Sequence, residues 1–362
     1  MNEPIRLSFC IPVYNFGAFV TQTLDSIAAS LATHPGLEAV VLDGGSTDDT
    51  PQIMADYCAR HPAVRYVRQD QRGGIDADMA RSVALARGEY CWLLSGDDLV
   101  RPGAIDELLG MLPEGHDVYL CEHTQCDIAM NYLGDHRIFQ RQDGFSVNLG
   151  NPAERIRYLA GARNSEAMFS FMSGLIVRRE QWMSAPEPVA FMRSCWGHVA
   201  RLLSSANPDL RVRVVGRQWI DRRGDNDSFR ENGIVRRLAI AVDGYQQLAT
   251  HFYGADSAES AQIRRLIRNE LSVRTFLQVR VLCSRNPAQE DRAMLDRLMR
   301  TLYGDPRLDC RLARLIYFMM VPDALIEQAA IVARFGRRIL ARLNGRHHGG
   351  SVASRGGADR AP

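Results

Sequence analysis

The stretch Tyr90-Cys91-Trp92-Leu93-Leu94-Ser95-Gly96-Asp97-Asp98 decides how this chain folds. Its first five residues read as a buried strand, and its last four put two carboxylates at the strand's carboxyl end. Leu99-Val100-Arg101-Pro102 follows, and Pro102 opens a helix. The same alternation runs upstream. Leu7 to Val13 is a short apolar run, closed by Pro12 and the turn-like Asn15-Phe16-Gly17. Phe19, Val20, Leu24, Ile27 and Leu31 then recur at helical spacing. Ala39 to Leu42 is a second strand, ending in Asp43-Gly44-Gly45-Ser46. Thr50 as N-cap and Pro51 as first helical residue start a helix, with Ile53, Met54, Tyr57 and Cys58 on its inner face. Val64 to Val67 is a third strand. Met79, Val83, Leu85 and Ala86 suit a helix that Gly88 ends. Tyr90 to Leu94 is the fourth strand and Asp117 to Cys121 the fifth.

This order implies an α/β fold, a mainly parallel sheet with helices on both faces. Ligands of such sheets bind beyond the carboxyl ends of the strands. Three polar clusters sit there: Tyr14-Asn15, Asp43 to Asp49, and Ser95 to Asp98. Further on, Tyr119 to Gln140 has the mixed pattern of a hairpin. Phe169 to Val177 reads as a strand, Val189 to Leu203 as a helix, and Arg211 to Ile220 as an alternating strand. Beyond about residue 231 the chain is mostly helical. From Gly349 it is rich in Gly, Ala, Ser and Arg, a composition of disorder. Three segments follow: an α/β domain over 1–228, a helical region over 229–346 and a disordered tail over 347–362.

Composition narrows the function classes. The apolar share of 46% and charged share of 24% are those of a globular protein. A formal charge of +2 does not point to nucleic acid. There is no lysine, so every basic side chain besides histidine is arginine. The 8 cysteines form no CxxC pair, which argues for packed thiols rather than zinc or disulfides. No run approaches the ~18 apolar residues of a membrane span. No signal peptide is evident, so a cytoplasmic location is expected.

Paired carboxylates such as Asp97 and Asp98 can hold a divalent cation, which in turn neutralises a diphosphate. The same pair could instead cap the following helix. In Asp43-Gly44-Gly45-Ser46-Thr47-Asp48-Asp49-Thr50, glycines let a ligand approach the backbone and Asp43 can accept hydrogen bonds from a base or ribose. Asp48 to Thr50 serve the turn and helix start.

Taken together, Ser8-Phe9-Cys10-Ile11-Pro12-Val13-Tyr14-Asn15, Asp43 to Thr50, Gly88-Glu89-Tyr90 and Ser95-Gly96-Asp97-Asp98 resemble the family 2 glycosyltransferases of the GT-A fold. Gly74-Ile75-Asp76, the run Ser82 to Trp92 and Arg223 to Phe229 look like the abequosyltransferases of O-antigen assembly. The resemblance implies a Rossmann-like GT-A fold with a C-terminal helical appendage. It implies an inverting transfer from a nucleotide-diphosphate sugar, with Mg2+ or Mn2+, to a lipid-linked saccharide in surface polysaccharide or lipopolysaccharide synthesis. By similarity Asp97 and Asp98 are the metal and diphosphate residues. Pro12, Tyr14, Asn15, Asp43, Gly45, Asp76, Asp78 and Ser95 surround the nucleotide sugar. Arg222 and Arg223 close over the diphosphate as charge-assisted donors.

Two positions depart from the family. Asp43-Gly44 stands where Asp-Asp is common, which leaves the carrier base open. Ser95 stands where the first carboxylate of Asp-x-Asp-Asp is usual, so the metal would be held by fewer charges. Relatives place an acidic base on the helix after the SG-containing strand; here that helix offers His198, whose ordinary pKa of about 6.5 suits proton transfer. These departures also fit a catalytically inactive sugar-nucleotide or glycan-binding homologue. A nucleotidyltransferase would need a basic Gly-rich loop after the first strand, and Tyr14 to Gly17 offers none. Near the C-terminus, Ile331, Val332, Phe335, Ile339, Leu340 and Leu343 alternate with Arg334, Arg337, Arg338, Arg342 and Arg346. Such a basic amphipathic helix can lie peripherally on the inner membrane or pack on the catalytic domain.

Overall fold

The computed structural model describes residues 4–205, 209–226 and 233–320. The basic stretch from Ile331 to Arg346, the tail beyond it, and Asp227 and Ser228 lie outside the described residues.

Strand β1 (Leu7–Val13) is buried along its whole length, with β2 (Leu37–Asp43) and β4 (Tyr90–Leu93) parallel on either side. β3 (Val64–Arg68) extends the parallel set beyond β2. Helices α1 (Val20–Thr33), α2 (Thr50–Arg60) and α3 (Ile75–Leu85) connect these strands, and α4 (Ala104–Met111) follows β4 and the short β5 (Leu99–Val100). Side chains alternate across β1. Leu7, Phe9, Ile11 and Val13 join Val20, Leu24, Met54, Ile105 and Leu108 in one core layer, and α3 packs against β1 and β2 as well. Trp92 anchors the layer, stacked 5.6 Å from Phe9. Truncating such a buried aromatic costs about 3–5 kcal/mol.

The second half departs from a simple parallel order. β6 (Val118–Cys126) and β7 (Tyr132–His136) form the hairpin, β8 is Phe145–Asn148, β9 is Leu175–Arg178 and β10 is Arg211–Arg223. The sheet runs β3-β2-β1-β4-β9-β6-β10-β5, with β7 on β6 and β8 on β10. β9 is antiparallel to both β4 and β6, and β10 is parallel to β6. The strand expected over Phe169 to Val177 is mostly not one. Phe169 has φ 65°, and residues 165–168 and 172–174 are single 3-10 turns, so only the end joins the sheet. The helix expected over Val189 to Leu203 is likewise broken. Arg193 and Cys195 have φ of 67° and 71°, leaving a turn at Val189–Phe191 and α7 (Gly197–Ser204). Gly88 lies beyond the end of α3 rather than capping it. A Cβ there would meet the Ser8 backbone nitrogen at 2.7 Å, so close passage to β1 explains the glycine.

After α5 (Pro152–Gly161), α6 (Arg179–Ser184) and α7, the chain continues through α8 (Ile234–Tyr253), α9 (Ala258–Glu270), α10 (Val273–Arg285), α11 (Arg292–Leu302) and α12 (Leu308–Leu315). Contacts divide it into 1–270 and 271–362. The division therefore falls after α9, not at the 228/229 boundary read from sequence, because α9 packs on α5 and α8.

Candidate functional site

The loops leaving β1 and β2 brace one another. Asn15, at φ 57°, turns the chain so that its Oδ1 accepts the Thr47 N–H at 2.8 Å. Its own N–H donates to Ser46 Oγ at 2.9 Å. Asp43 is fully buried at the end of β2. One of its oxygens accepts the Ser46 N–H at 2.7 Å and the other the Tyr66 hydroxyl. Asp48 collects the N–H groups of Gly17 and Thr50, both at 3.0 Å. The loop residues read as structural are therefore so, and Asp43 shares their work. Pro12 is buried opposite Leu42, while Tyr14 is half-buried beneath the Arg72 guanidinium, 4.0 Å from its ring centroid. Gly45 holds φ 87°, a conformation side chains disfavour.

Asp76 and Asp78, two residues apart in the first turn of α3, have different surroundings. Asp78 receives the Gln69 amide at 2.6 Å. A Cβ on Gly44 or Gly73 would lie 2.8 or 2.5 Å from its carboxylate, so two glycines make room for this acid. Burial pushes the Asp78 carboxyl above its ordinary value, against the Gln69 hydrogen bond. Asp76 accepts the N–H groups of Cys195 and Gly197, both at 2.9 Å, and so fixes the start of α7. One residue further on, His198 Nε2 lies 3.0 Å from the Phe169 carbonyl. A carbonyl only accepts, so Nε2 carries the proton and Nδ1 is the basic nitrogen. Burial lowers the His198 pKa, against the Asp76 charge, which keeps the ring neutral.

At the end of β4, Ser95 Oγ donates to Asp97 Oδ1 and the Asn226 amide to Asp97 Oδ2 at 2.8 Å. Asp98 accepts Ser173 Oγ at 2.6 Å and the Arg223 N–H at 3.0 Å. Both acids are buried, and neither forms an ion pair with a described residue. Burial first, then the Asp97 charge, push the Asp98 carboxyl up to about 7.

The two arginines part company. Arg223 is buried, its guanidinium donating to the Asp97 carbonyl at 2.9 Å, the Ile128 carbonyl at 2.6 Å and Gln22 Oε1 at 2.8 Å, over the Phe19 ring. Each of its three nitrogens donates to the protein. Arg222 remains 43% exposed, 3.8 Å from Glu166 and over Phe171. Arg72, Gln69, Tyr66 and Ser173 belong to the site and escaped the sequence reading. The basic Arg72 directly before Gly73-Gly74 was the one available signal.

With this geometry in place, similarity to known proteins is decisive. Residues 8–172 match the family described as glycosyl transferase family 2. These residues are a family 2 glycosyltransferase domain. Over 269 residues the chain is 29% identical to abequosyltransferase RfbV of Salmonella typhimurium, covering 73% of this chain and 79% of that protein. It is 35% identical over 100 residues to the chondroitin synthase of Escherichia coli, 28% of this chain and only 14% of that one. The crystal structure of S. aureus TarS 1–349 in complex with UDP-GlcNAc superposes with a TM-score of 0.57 at 17% identity, covering 82% of this chain and 81% of that one. The glycosyltransferase thus has the GT-A fold, with a helical C-terminal region. Among its described residues no helix is long and apolar enough to cross a membrane.

Proposed function

We propose that this glycosyltransferase moves a sugar, with inversion, from a nucleotide-diphosphate sugar to a lipid-linked saccharide in bacterial surface polysaccharide or O-antigen synthesis. The observation that carries this reading is the similarity to an abequosyltransferase, which runs well past the family 2 domain. The donor side is the β1, β2 and β4 edge. Tyr14 under Arg72 offers a flat face to a base, and Asp43 and Asp78 frame the glycine-lined gap beside it.

The acidic pair fits a divalent cation, Mg2+ or Mn2+. Two buried carboxylates lie side by side, neither ion-paired with a described residue, a costly arrangement that a cation relieves. Each Asp97 oxygen accepts one hydrogen bond from the described residues, which leaves it a second lone pair among them. Each Asp98 oxygen likewise accepts one, from Arg223 N–H or Ser173 Oγ, so both carboxylates can ligate the ion. Bound there, the ion would neutralise charge on the leaving diphosphate. Arg222, with its exposed guanidinium, is the arginine free to meet the diphosphate; Arg223 holds the Asp97 carbonyl in place. His198 takes the acceptor proton at Nδ1, since Nε2 is bound to Phe169 and Asp76 sets the helix that presents it. The work is done at the cytoplasmic face of the inner membrane, where lipid-linked saccharides are extended.

The test is transfer from a panel of nucleotide sugars to lipid-linked saccharides, with the anomeric configuration of the product read by NMR. A product of inverted configuration is expected. Transfer with retention, or no transfer or donor hydrolysis from any nucleotide sugar, would refute the reading.

A further inference from the structure

A second cluster of metal-ligating side chains lies outside the acidic pair. His123 on β6 and His136 on β7 are directly paired across the hairpin, with stacked rings 4.5 Å apart. Both face Glu166 on the turn at Ser165–Met168. His123 Nε2 is 3.2 and 3.1 Å from the two Glu166 oxygens, and His136 Nε2 is 3.3 Å from one of them. His123 and Glu166 are buried.

The outer partners of each ring fix where its lone pair points. His123 Nδ1 faces the Thr124 carbonyl at 2.9 Å and so carries a proton, leaving Nε2 as the lone pair of the neutral ring. Asn164 Oδ1 accepts the Glu166 N–H, so its amide nitrogen points outward, to the Arg137 carbonyl at 3.0 Å and to His136 Nε2 at 2.9 Å. His136 Nε2 is therefore an acceptor and Nδ1 carries the proton; the exposed Gln125 amide, whose nitrogen stands 3.1 Å from Nδ1, has to turn its oxygen inward to accept that proton. Two imidazole lone pairs thus converge on a carboxylate. Acceptors against acceptors in a buried site require either a shared proton or a metal cation between them.

We infer that this His123–His136–Glu166 triangle binds one divalent transition ion of the Zn2+ class. Zinc bonds to imidazole and carboxylate of about 2.0–2.2 Å set tetrahedral neighbours roughly 3.3–3.4 Å apart, close to the 3.1–3.3 Å between each imidazole nitrogen and the carboxylate, and the three ligand atoms all lie within 4.8 Å of one another. Neutral imidazoles with outward-directed N–H groups are the ligand arrangement such sites use. Nitrogen donors favour Zn2+, Co2+ or Ni2+ over Mg2+, unlike the all-oxygen Asp97–Asp98 pair. The ion would replace the Asn164 N–H at His136, which is one-quarter exposed and gives access. Arg222, 3.8 Å from Glu166 Oε1 and 43% exposed, is the nearby charge opposing it and is free to turn to solvent. The ion would tie the β6–β7 hairpin to the segment that runs on to Ser173, the partner of Asp98. Its role is to position that segment.

The experiment is equilibrium dialysis of the untagged full chain against Zn2+ or Co2+, followed by metal analysis. Wild type and the near-isosteric Glu166→Gln and His136→Gln are compared, with circular dichroism verifying that each is folded. Wild type should hold one ion per chain more than either variant, give the visible spectrum of tetrahedral Co2+, and keep its ion in excess Mg2+ and in an Asp97→Asn background. Equal metal content in wild type and both variants overturns the inference and leaves an imidazolium–carboxylate cluster. Because the readout is metal content, it is independent of whether the transfer reaction is as proposed.

Discussion

Replacing Arg223 and Arg222 separately should split stability from catalysis. Arg223 makes three side-chain hydrogen bonds to neutral acceptors inside the fold. Hydrogen bonds from charged donors contribute about 1.5 kcal/mol each at the low end, so Arg223→Ala should cost about 4–5 kcal/mol, before lost packing on Phe19. The first compact unit spans 270 residues. At about 2.1 cal/mol/K per residue its unfolding entropy is roughly 0.6 kcal/mol/K, so Tm should fall by roughly 7–8 °C. Arg223→Lys should recover little, because an ammonium cannot span three acceptors set for a guanidinium. Arg222→Ala should behave oppositely. Its 3.8 Å ion pair is solvent-screened and worth at most about 1 kcal/mol, so Tm should hardly move while the donor KM rises. Differential scanning calorimetry and donor-saturation kinetics read the two effects. An Arg223→Ala protein as stable as wild type but with a raised donor KM would refute this division of labour.

Other perturbations test the frame and the chemistry. Glu38 is buried and receives Ser8 Oγ at 2.8 Å, with the Arg87 N–H at 2.7 Å and its guanidinium at 2.9 and 2.6 Å. Burial alone would raise its carboxyl, but these donors outweigh it and hold the pKa below the ordinary value. A depressed folded pKa means stability present above the unfolded value of about 4.3 and lost as pH falls through the folded one. Glu38→Gln should lower stability at pH 7 by about 2 kcal/mol and flatten the acid limb of a stability–pH curve; an unchanged limb would contradict this. His198→Ala should lower turnover by about 100-fold or more in a direct transfer assay, with donor binding by calorimetry intact; undiminished turnover would remove His198 as the base. Asp76→Ala should free the start of α7, lowering Tm and speeding hydrogen exchange at Cys195 and Gly197, whereas unaltered exchange would show that the two N–H contacts are not needed.

The first half of the fold was legible because β1, β2 and β4 are buried on both faces and read as largely apolar runs between polar turns. Beyond Gly161 the same rule misled. Phe169 to Val177 is apolar enough for a strand, yet tertiary contacts bend it: Ser173 turns to Asp98 and Phe169 presents its carbonyl to His198. Arg222 and Arg223 are adjacent on a strand, so one faces inward and the other outward, and only the sheet register says which. The His123–His136–Glu166 triangle had no local signal. The residues are far apart along the chain, and hairpin pairing alone brings the two rings together. The acidic pair, by contrast, was visible at once, because a strand end announces its own position.

The most direct test of the central claim, that Asp97 anchors a cation-bound nucleotide diphosphate, is a calorimetric titration of nucleoside diphosphates into wild type and Asp97→Asn, each with Mn2+ and with EDTA. At least one nucleotide should bind wild type in Mn2+, and either EDTA or the substitution should weaken it by about tenfold or more. Binding of equal strength in all four conditions would contradict the account.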